Sequence, residues 1–510
     1  MNRESRIVSM FDTGTNLADR PRTIVVGAGI GGLACALRLA HAGHAVTVLD
    51  RHNHPGGKMR QVDSPAGPVD AGPTVLTMRP VFDSLFADVG ARLEDHVTLT
   101  RQNVLARHFW PDGSDLTLWN NRGRNLDAID GFAGPRAADE FRRFCADMER
   151  LYAAFDAPMM RAPDPSVGRL TGRVLLDPGL IWAMAPLATM RTDLRRRFSD
   201  MRLAQLFARY ATYVGGHPGL TPALLSLIWR AEEQGVWAVD GGMQALARAI
   251  ADLAATRGAV LRLGTDVSRI ETGNGRVTGV TLINGERLAA DTVVFNGDPR
   301  ALATCALGTG VAQVATQTLT TRRSLSARVW AFAATPEGPD LAHHNVFFAA
   351  DPDEEFASIA AGQMPTDPTI YVCAQDRGQG QPPPLVERFE IILNAAPLTD
   401  AQRPDKEAQT CHQRTFPTLA RFGLTFRAEP GPEALTTPSD WNRLFPASAG
   451  SLYGQSPHGM TASLKRPRAR TTIAGLYLVG GGTHPGAGVP MATLSGQHAA
   501  AAILKDRTLT

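Results

Sequence analysis

The sequence predicts an α/β protein whose nucleotide-binding sheet is assembled from separate stretches of chain, with an α+β domain, partly helical, inserted between them. Three observations carry this. A strand–glycine loop–helix–strand unit, "TIVVGAGIGGLACALRLAHAGHAVTVLD", opens the folded part of the chain. A second glycine-rich loop, "GGGTHPGAG", precedes a small-residue helix at the other end. At 510 residues the chain is too long for one compact core, so two or three domains are expected.

The elements follow in order. "TIVV" is a β-branched apolar run, the pattern of a strand buried on both faces. "GAGIGG" sets Gly27, Gly29 and Gly32 in G-x-G-x-x-G spacing. Gly27 permits the tight turn, Gly29 lets the backbone approach a pyrophosphate, and Gly32 lets helix and strand pack closely. "LACALRLAHAG" is apolar at helical spacing and stops at Gly43. Its N-terminus offers free N–H groups and partial positive charge to phosphates. "AVTVLD" is a second strand; Asp50 at its end, followed by Arg51, accepts hydrogen bonds from a ribose and disfavours a 2′-phosphate. "HPGGKMR" brings Gly56 and Gly57 and then Lys58, a second close approach of backbone to ligand. "PVDAGPTVLT" brings Asp70, Gly72, Pro73 and Thr74 in a turn that leads into extended chain.

From about residue 81 to 228 the pattern is mostly helical, broken by a hairpin around Asp112-Gly113 in "HFWPDGSDLTLW". "DGGMQALARAIADLAATRG" is a helix, and the strands after it turn at Asn274-Gly275 and Asn284-Gly285. Past Pro299 strands and helices mix, with a surface loop at "DRGQGQPPP". "GLYLV" is a strand, and "PMATLSGQHAAAAIL" a helix with proline in its first turn. Two glycine loops each open a helix. One long ligand crossing a single domain is simpler than two phosphate sites, and FAD suits it. The first loop takes the pyrophosphate, and N–H groups near Val489 and Met491 stabilise negative charge on the reduced flavin. The expected organisation is a leader over 1–20, a discontinuous Rossmann-like FAD domain over 21–85, 235–300 and 466–505, and substrate segments over 86–234 and 301–465.

Composition excludes several classes. Hydrophobic content of 44%, charged content of 20% and net charge +3, with no long basic run, describe a somewhat greasy globular protein without a nucleic-acid partner. The five cysteines form no C-x-x-C pair, which argues against a disulfide framework or zinc site and fits a reducing, cytoplasmic compartment. No Ser-His-Asp order or metal-ligand spacing stands out. The first twenty residues lack a signal-peptide core. No segment is long enough to span a bilayer: "PGLIWAMAPLATM" falls short of about 20 residues and contains Pro186. Arg191, Arg195, Arg196, Arg197 and Arg202 follow it. This is the pattern of an interfacial element or, equally, of a core helix beside a solvated basic one. Met159, Met160 and Met184 line a greasy tunnel or fill core.

"GAGIGGLACALRLAHAGHAVTVLDRHNHPGGKMR", "DAGPTVLT", "DGGMQAL", "NGDP" and "THPGAGVP" together resemble the carotenoid (phytoene) desaturase branch of the FAD-dependent amine oxidase superfamily, with matches in order over nearly the whole chain. Within it, "GPTVLTMRPVFDSLFADVGARLEDHVTLT" and "FAGPRAADEFRRFC" are similar to the enzymes of purple photosynthetic bacteria that introduce the 3,4 double bond into 1-hydroxycarotenoids. The resemblance implies that Gly27, Gly29 and Gly32 form the phosphate loop, that Asp50 holds the ribose where a glutamate is commoner, and that Lys58 lies near the pyrophosphate. It implies that Gly72, Pro73 and Thr74 pass the flavin's face, and that Asp266-Val267 meets adenine. Gly481, Gly482, Thr483, Val489 and Met491 belong to the flavin-proximal loop. Where relatives carry an acid, this loop reads Gly480-Gly481-Gly482, so backbone amides do that work. His484 lies beside the flavin, as a substrate-positioning or a structural residue.

The implied reaction is hydride loss from an allylic carbon to flavin N5, leaving a cation spread over the polyene, followed by proton loss from the neighbouring carbon. Oxygen or a quinone then accepts the electrons. The implied partners are an acyclic carotenoid and, peripherally, the inner-membrane surface. A 1-hydroxylated substrate calls for a buried polar group in the substrate domain; His217 and Gln234 lie in the right region. The alternatives are phytoene desaturation or carotenoid isomerisation on the same scaffold, an amine or porphyrinogen oxidase, and a non-enzymatic isoprenoid carrier.

Overall fold

The computed structural model describes residues 20–399 and 407–508, so the expected leader lies outside it save for Arg20. Strand Arg22–Val26 pairs in parallel with Ala45–Leu49 on one side and Thr292–Phe295 on the other; Val260–Arg262 and Leu476–Leu478 complete the two edges. Five parallel strands therefore come from separated stretches of chain. Thr23, Ile24 and Val25 are buried because both faces of the sheet are covered. Helices Ile30–His41, Met243–Thr256 and Val489–Thr508 share one core on one face. The antiparallel strands Val267–Gly273, Arg276–Leu282 and Arg287–Ala289 pack Ile270 and Val280 against Ile24, Val293 and Phe295 in a separate core. Connections leave the first strand in both directions, and open α/β sheets bind ligands at such a switch point.

The last helix lies directly on the first. A Cβ at Gly496 would stand 2.2 Å from the Gly31 carbonyl oxygen. The small residues of "SGQHAAAA" permit this approach, and it sets the two glycine loops side by side.

The inserted part contains an eight-stranded, mostly antiparallel sheet centred on Ser326–Glu337 and Glu387–Ala395. The expected hairpin, Val104–Phe109 with Asp115–Trp119, joins it in parallel to His344–Phe347. Trp330, Phe332, Phe389 and Phe416 fill a core against this sheet. A helical part, including Pro135–Phe155 and Met201–Ala208, packs around Phe141, Phe144, Phe207 and Trp229.

The apolar stretch read equally as core or interfacial is partly buried and partly exposed. Leu180 and Ala183 are buried, while Leu176, Trp182 and Leu187 are 87%, 86% and 102% exposed. The arginines behind it are mostly not a free basic face. Arg191 and Arg195 both pair with Asp353, Arg197 with Asp147 and Asp193, and Arg202 with Asp200. Asp353 lies 162 and 158 positions from Arg191 and Arg195 in sequence, so local charge counting misses the pairing.

Glu355, in helix Pro352–Ala360, is 2% exposed, and its oxygens accept from Thr369 N and Oγ1 at 3.1 and 2.7 Å. Burial, with Asp367 and Glu354 nearby, pushes its carboxyl up to about 7. A carboxyl raised on folding holds its proton more tightly in the native state, so its contribution falls as pH rises from about 4.5 to about 7. Glu355→Gln is therefore expected to gain stability relative to wild type between pH 5 and pH 8, by up to about 3 kcal/mol. Urea unfolding at both pH values measures it; a difference that does not move with pH contradicts the assignment.

Candidate functional site

A cavity of about 1160 Å³ runs between the five-stranded sheet and the inserted part. Ligand pockets commonly enclose about 300–1,000 Å³, so this one has room for more than a single drug-sized molecule. Its walls bring together Gly27, Gly29, Asp50, Arg51, Gly57, Lys58, Gly72, Pro73, Thr74, Val267, Gly481, Gly482, His484, Val489 and Met491. Met159, Met160 and Met184 line it too. Two expected residues stand behind the wall. Gly32 packs under the loop, where a Cβ would meet the Gly27 carbonyl oxygen at 2.2 Å. Thr483 is fully buried, with its hydroxyl donating to the Val479 carbonyl at 3.4 Å. The substrate-hydroxyl candidates His217 and Gln234 do not line the cavity. His217 accepts from Gly219 N through Nδ1, and Gln234 is exposed.

The first loop is built to face a ligand. Gly29 caps helix Ile30–His41 with no side-chain bond, and the first N–H groups of any helix have no intrahelical acceptor. Gly29, Ile30 and Gly31 border the cavity. The Asp50 carboxylate accepts from Ala28 N at 2.6 Å and from His52 N at 2.8 Å, which fixes it at the cavity edge. An ionised carboxylate has about four acceptor sites, so two hydrogen bonds leave capacity for a ribose. The cradle thus fits a dinucleotide pyrophosphate and its adenosine ribose.

Asn296, in "NGDP", ties the loops together. Its Nδ2 donates to the Gly27 carbonyl at 3.0 Å, and a Cβ at Gly29 or Gly480 would lie 2.8 Å from its amide. Beside it, Asp298 lines the cavity near Gly482 and pairs with Arg323. This supplies an acid next to the loop that lacks one. Arg466 is buried and donates to the carbonyls of Gly481 and Tyr453 at 2.8 and 2.9 Å. Burial lowers its guanidinium to about 10. Lys58 donates to the Leu452 carbonyl and faces the Phe445 ring at 5.4 Å; burial lowers it to about 8, with Asp298 opposing. None of these partners is near in sequence, and only the motif "NGDP" marked any of them.

Other expected residues are fixed by neighbours. Asp70 accepts from Met243 N at 2.6 Å and from Gln61 Nε2 at 3.0 Å, so "DAGPT" caps the "DGGMQAL" helix. Burial raises its carboxyl to about 6. Thr74 Oγ1 lies 2.8 Å from the Tyr371 hydroxyl. His484 Nε2 donates to the Ala162 carbonyl at 2.8 Å, and its ring stacks on His498. The sequence showed no metal-ligand spacing, but two adjacent strands bring possible ligand atoms of His343, His344 and Cys373 within 4.8 Å of one another. His343 Nδ1 already bonds the Arg377 carbonyl, and His344 Nδ1 the Tyr371 hydroxyl.

A family model described as flavin containing amine oxidoreductase matches residues 30–504. The chain is 55% identical to hydroxyneurosporene desaturase of Cereibacter sphaeroides, over 95% of this chain and 98% of that one. It is 52% identical to hydroxyneurosporene desaturase of Rhodobacter capsulatus, with the same coverage of 95% and 98%. Cyclohexylamine oxidase from Brevibacterium oxydans shares the fold at TM-score 0.57 and 17% identity, over 96% of this chain and 100% of that one. The chain belongs to the flavin containing amine oxidoreductase family, with FAD as its cofactor.

Proposed function

We propose that this chain is a FAD-dependent carotenoid desaturase that introduces the 3,4 double bond into acyclic 1-hydroxycarotenoids, as spheroidene-type biosynthesis requires. The observation that carries this is the majority identity, end to end, with hydroxyneurosporene desaturases. The geometry supports it, because one cavity joins the glycine loops to an apolar wall that includes Met159, Met184, Leu225 and Ile228. Gly27, Gly29 and the first turn after them hold the pyrophosphate, Asp50 the ribose and Val267 the adenine. Gly72 to Thr74 and Gly481 to Met491 flank the flavin.

FAD, when bound, supplies the hydride acceptor, to be reoxidised by oxygen or a quinone. The chain's own task is alignment and exclusion of water around a polyene cation. The methionines and leucines of the wall keep out the water that would trap that cation, and the proton lost from the neighbouring carbon passes to an acceptor lining the cavity, for which a weak base such as a backbone carbonyl relaying to solvent suffices. Incubation of the holoprotein with 1-hydroxyneurosporene and phytoene together, with product analysis, tests the assignment.

Substrates of this kind reside in membranes. Among the described residues no helix is long and apolar enough to cross one. We place peripheral attachment, at the cytoplasmic side of the inner membrane, on the exposed Leu175, Leu176, Trp182 and Leu187. Thr171, Val174 and Met184 of the same segment line the cavity, so this patch adjoins an entrance. Burying each large side chain is worth about 1.5–3 kcal/mol. Leu176→Ser/Trp182→Ser/Leu187→Ser is expected to abolish flotation with liposomes. Since most of the nearby arginines are paired, salt is expected to weaken wild-type flotation only slightly. Full flotation of the triple variant moves the attachment elsewhere.

A further inference from the structure

The wall of the cavity carries a guanidinium and a carboxyl that the cofactor loops do not use; burial raises the carboxyl, and the neighbouring guanidinium opposes this. These are Arg209 and Glu232, at 9% and 4% exposure. They are electrostatic neighbours, yet no nitrogen of one comes within the 4.0 Å of an ion pair to an oxygen of the other. Tyr210 donates to Glu232 Oε1 at 2.8 Å and the Tyr213 hydroxyl lies beside both Glu232 and Arg209, yet Glu232 Oε2 and Arg209 Nε are buried without a partner at hydrogen-bonding distance. Arg209 lies over the rings of Tyr213 and Tyr210 at 5.0 and 5.5 Å, which hold its position. The buried histidines beside it, His108 and His344, are pushed low by burial and by Arg209 itself, so they remain neutral.

A buried charge without its full set of hydrogen bonds is costly. A group that both accepts and donates would satisfy the two at once, accepting from the guanidinium and donating to the carboxylate. An alcohol does this; an ether accepts only, and a hydrocarbon does neither. The position also suits the proposed reaction. Arg209 neighbours Tyr371, whose hydroxyl is 2.8 Å from Thr74 in the segment expected along the flavin's face. In a 1-hydroxycarotenoid the oxygen-bearing carbon is two bonds from the carbon that becomes C3 of the new double bond. The group that recognises the oxygen therefore belongs close to the reacting end of the cavity.

We propose that Arg209 and Glu232 form the subsite for the tertiary 1-hydroxyl of the substrate, bridged by that hydroxyl, and that they set the preference for hydroxylated over unmodified acyclic carotenoids. This rests on the desaturase reading. Sequence inspection pointed two residues away, at Gln234, because nothing local tells which of "AEEQ" turns inward.

The test titrates wild-type, Glu232→Gln and Arg209→Gln holoproteins with 1-hydroxyneurosporene and with neurosporene, and follows both binding and turnover. Charge-assisted hydrogen bonds are each worth about 1.5–3 kcal/mol, so wild type is expected to prefer the hydroxylated carotenoid by roughly 100-fold in Kd. Glu232→Gln is isosteric and is expected to cut that ratio at least about tenfold while neurosporene binds as before. Arg209→Lys is expected to restore part of what Arg209→Gln loses. A merely structural role would weaken both ligands alike, and an unchanged ratio in Glu232→Gln overturns the proposal. If wild type converts neither carotenoid, the desaturase reading itself fails; if it converts them without a preference, only the subsite does.

Discussion

Replacing Gly29 by valine is expected to strip FAD from the protein while leaving it folded. Gly29 has φ −71° and ψ 166°, a conformation valine adopts freely, so the backbone need not move. The obstacle is steric. A Cβ there lies 2.8 Å from Asn296 Nδ2, the group that donates to the Gly27 carbonyl. Accommodating it pushes Asn296 off the loop it braces. The two further methyls occupy the cavity border that we assign to the pyrophosphate. Overpacking of this kind costs about 1–3 kcal/mol, and each 1.4 kcal/mol is about tenfold in affinity. Affinity for FAD is therefore expected to fall about 5- to 150-fold, seen as flavin lost on gel filtration with an unchanged circular dichroism spectrum. Full occupancy in this variant contradicts the placement of the cofactor.

The second large effect concerns Arg323. Its side chain is 11% exposed and pairs with Asp298, at 9%. It also donates to the Ser448 carbonyl through Nε and Nη2 at 3.2 and 2.9 Å. Asp298 in turn accepts from Arg300 N at 3.0 Å and borders the cavity. Arg323→Met leaves a buried carboxylate without its cation. Breaking one side of such a pair costs about 3–5 kcal/mol, whereas replacing both sides is often nearly neutral. Urea unfolding is expected to show that loss in Arg323→Met. Asp298→Asn/Arg323→Met is expected to recover to within about 1 kcal/mol of wild type. A single variant that loses less than about 1 kcal/mol would mean that the pair is solvated or loosely held.

These two sites mark what the sequence could and could not disclose. The cradle around Gly29 was legible because its parts are contiguous: strand, glycines, helix and Asp50 follow one another within thirty residues, and their spacing is dictated by backbone geometry. The last loop was legible for the same reason, down to the proline that starts its helix. Asn296 and Asp298 stood inside a quoted motif, but their roles depend on contacts to Gly27 and Arg323 that only the folded sheet creates. The arginines after the apolar stretch looked free because their partner, Asp353, is remote. Trp182 and Leu187, in contrast, carried an interfacial pattern that the fold leaves exposed. The inward turn of Glu232 beside the exposed Gln234 is set by helix phase against Arg209 and Tyr210, which composition does not encode.

The measurement that bears most directly on the central claim is a single anaerobic turnover. Holoprotein carrying a known amount of FAD is mixed, without oxygen or quinone, with equal amounts of 1-hydroxyneurosporene and phytoene, and the products are weighed by mass spectrometry. About one molecule of 3,4-didehydro product, two hydrogens lighter than 1-hydroxyneurosporene, is expected per FAD, with phytoene left intact. Preferential loss of hydrogens from phytoene, or hydroxycarotenoid recovered unchanged from protein that holds its full FAD, would contradict that claim.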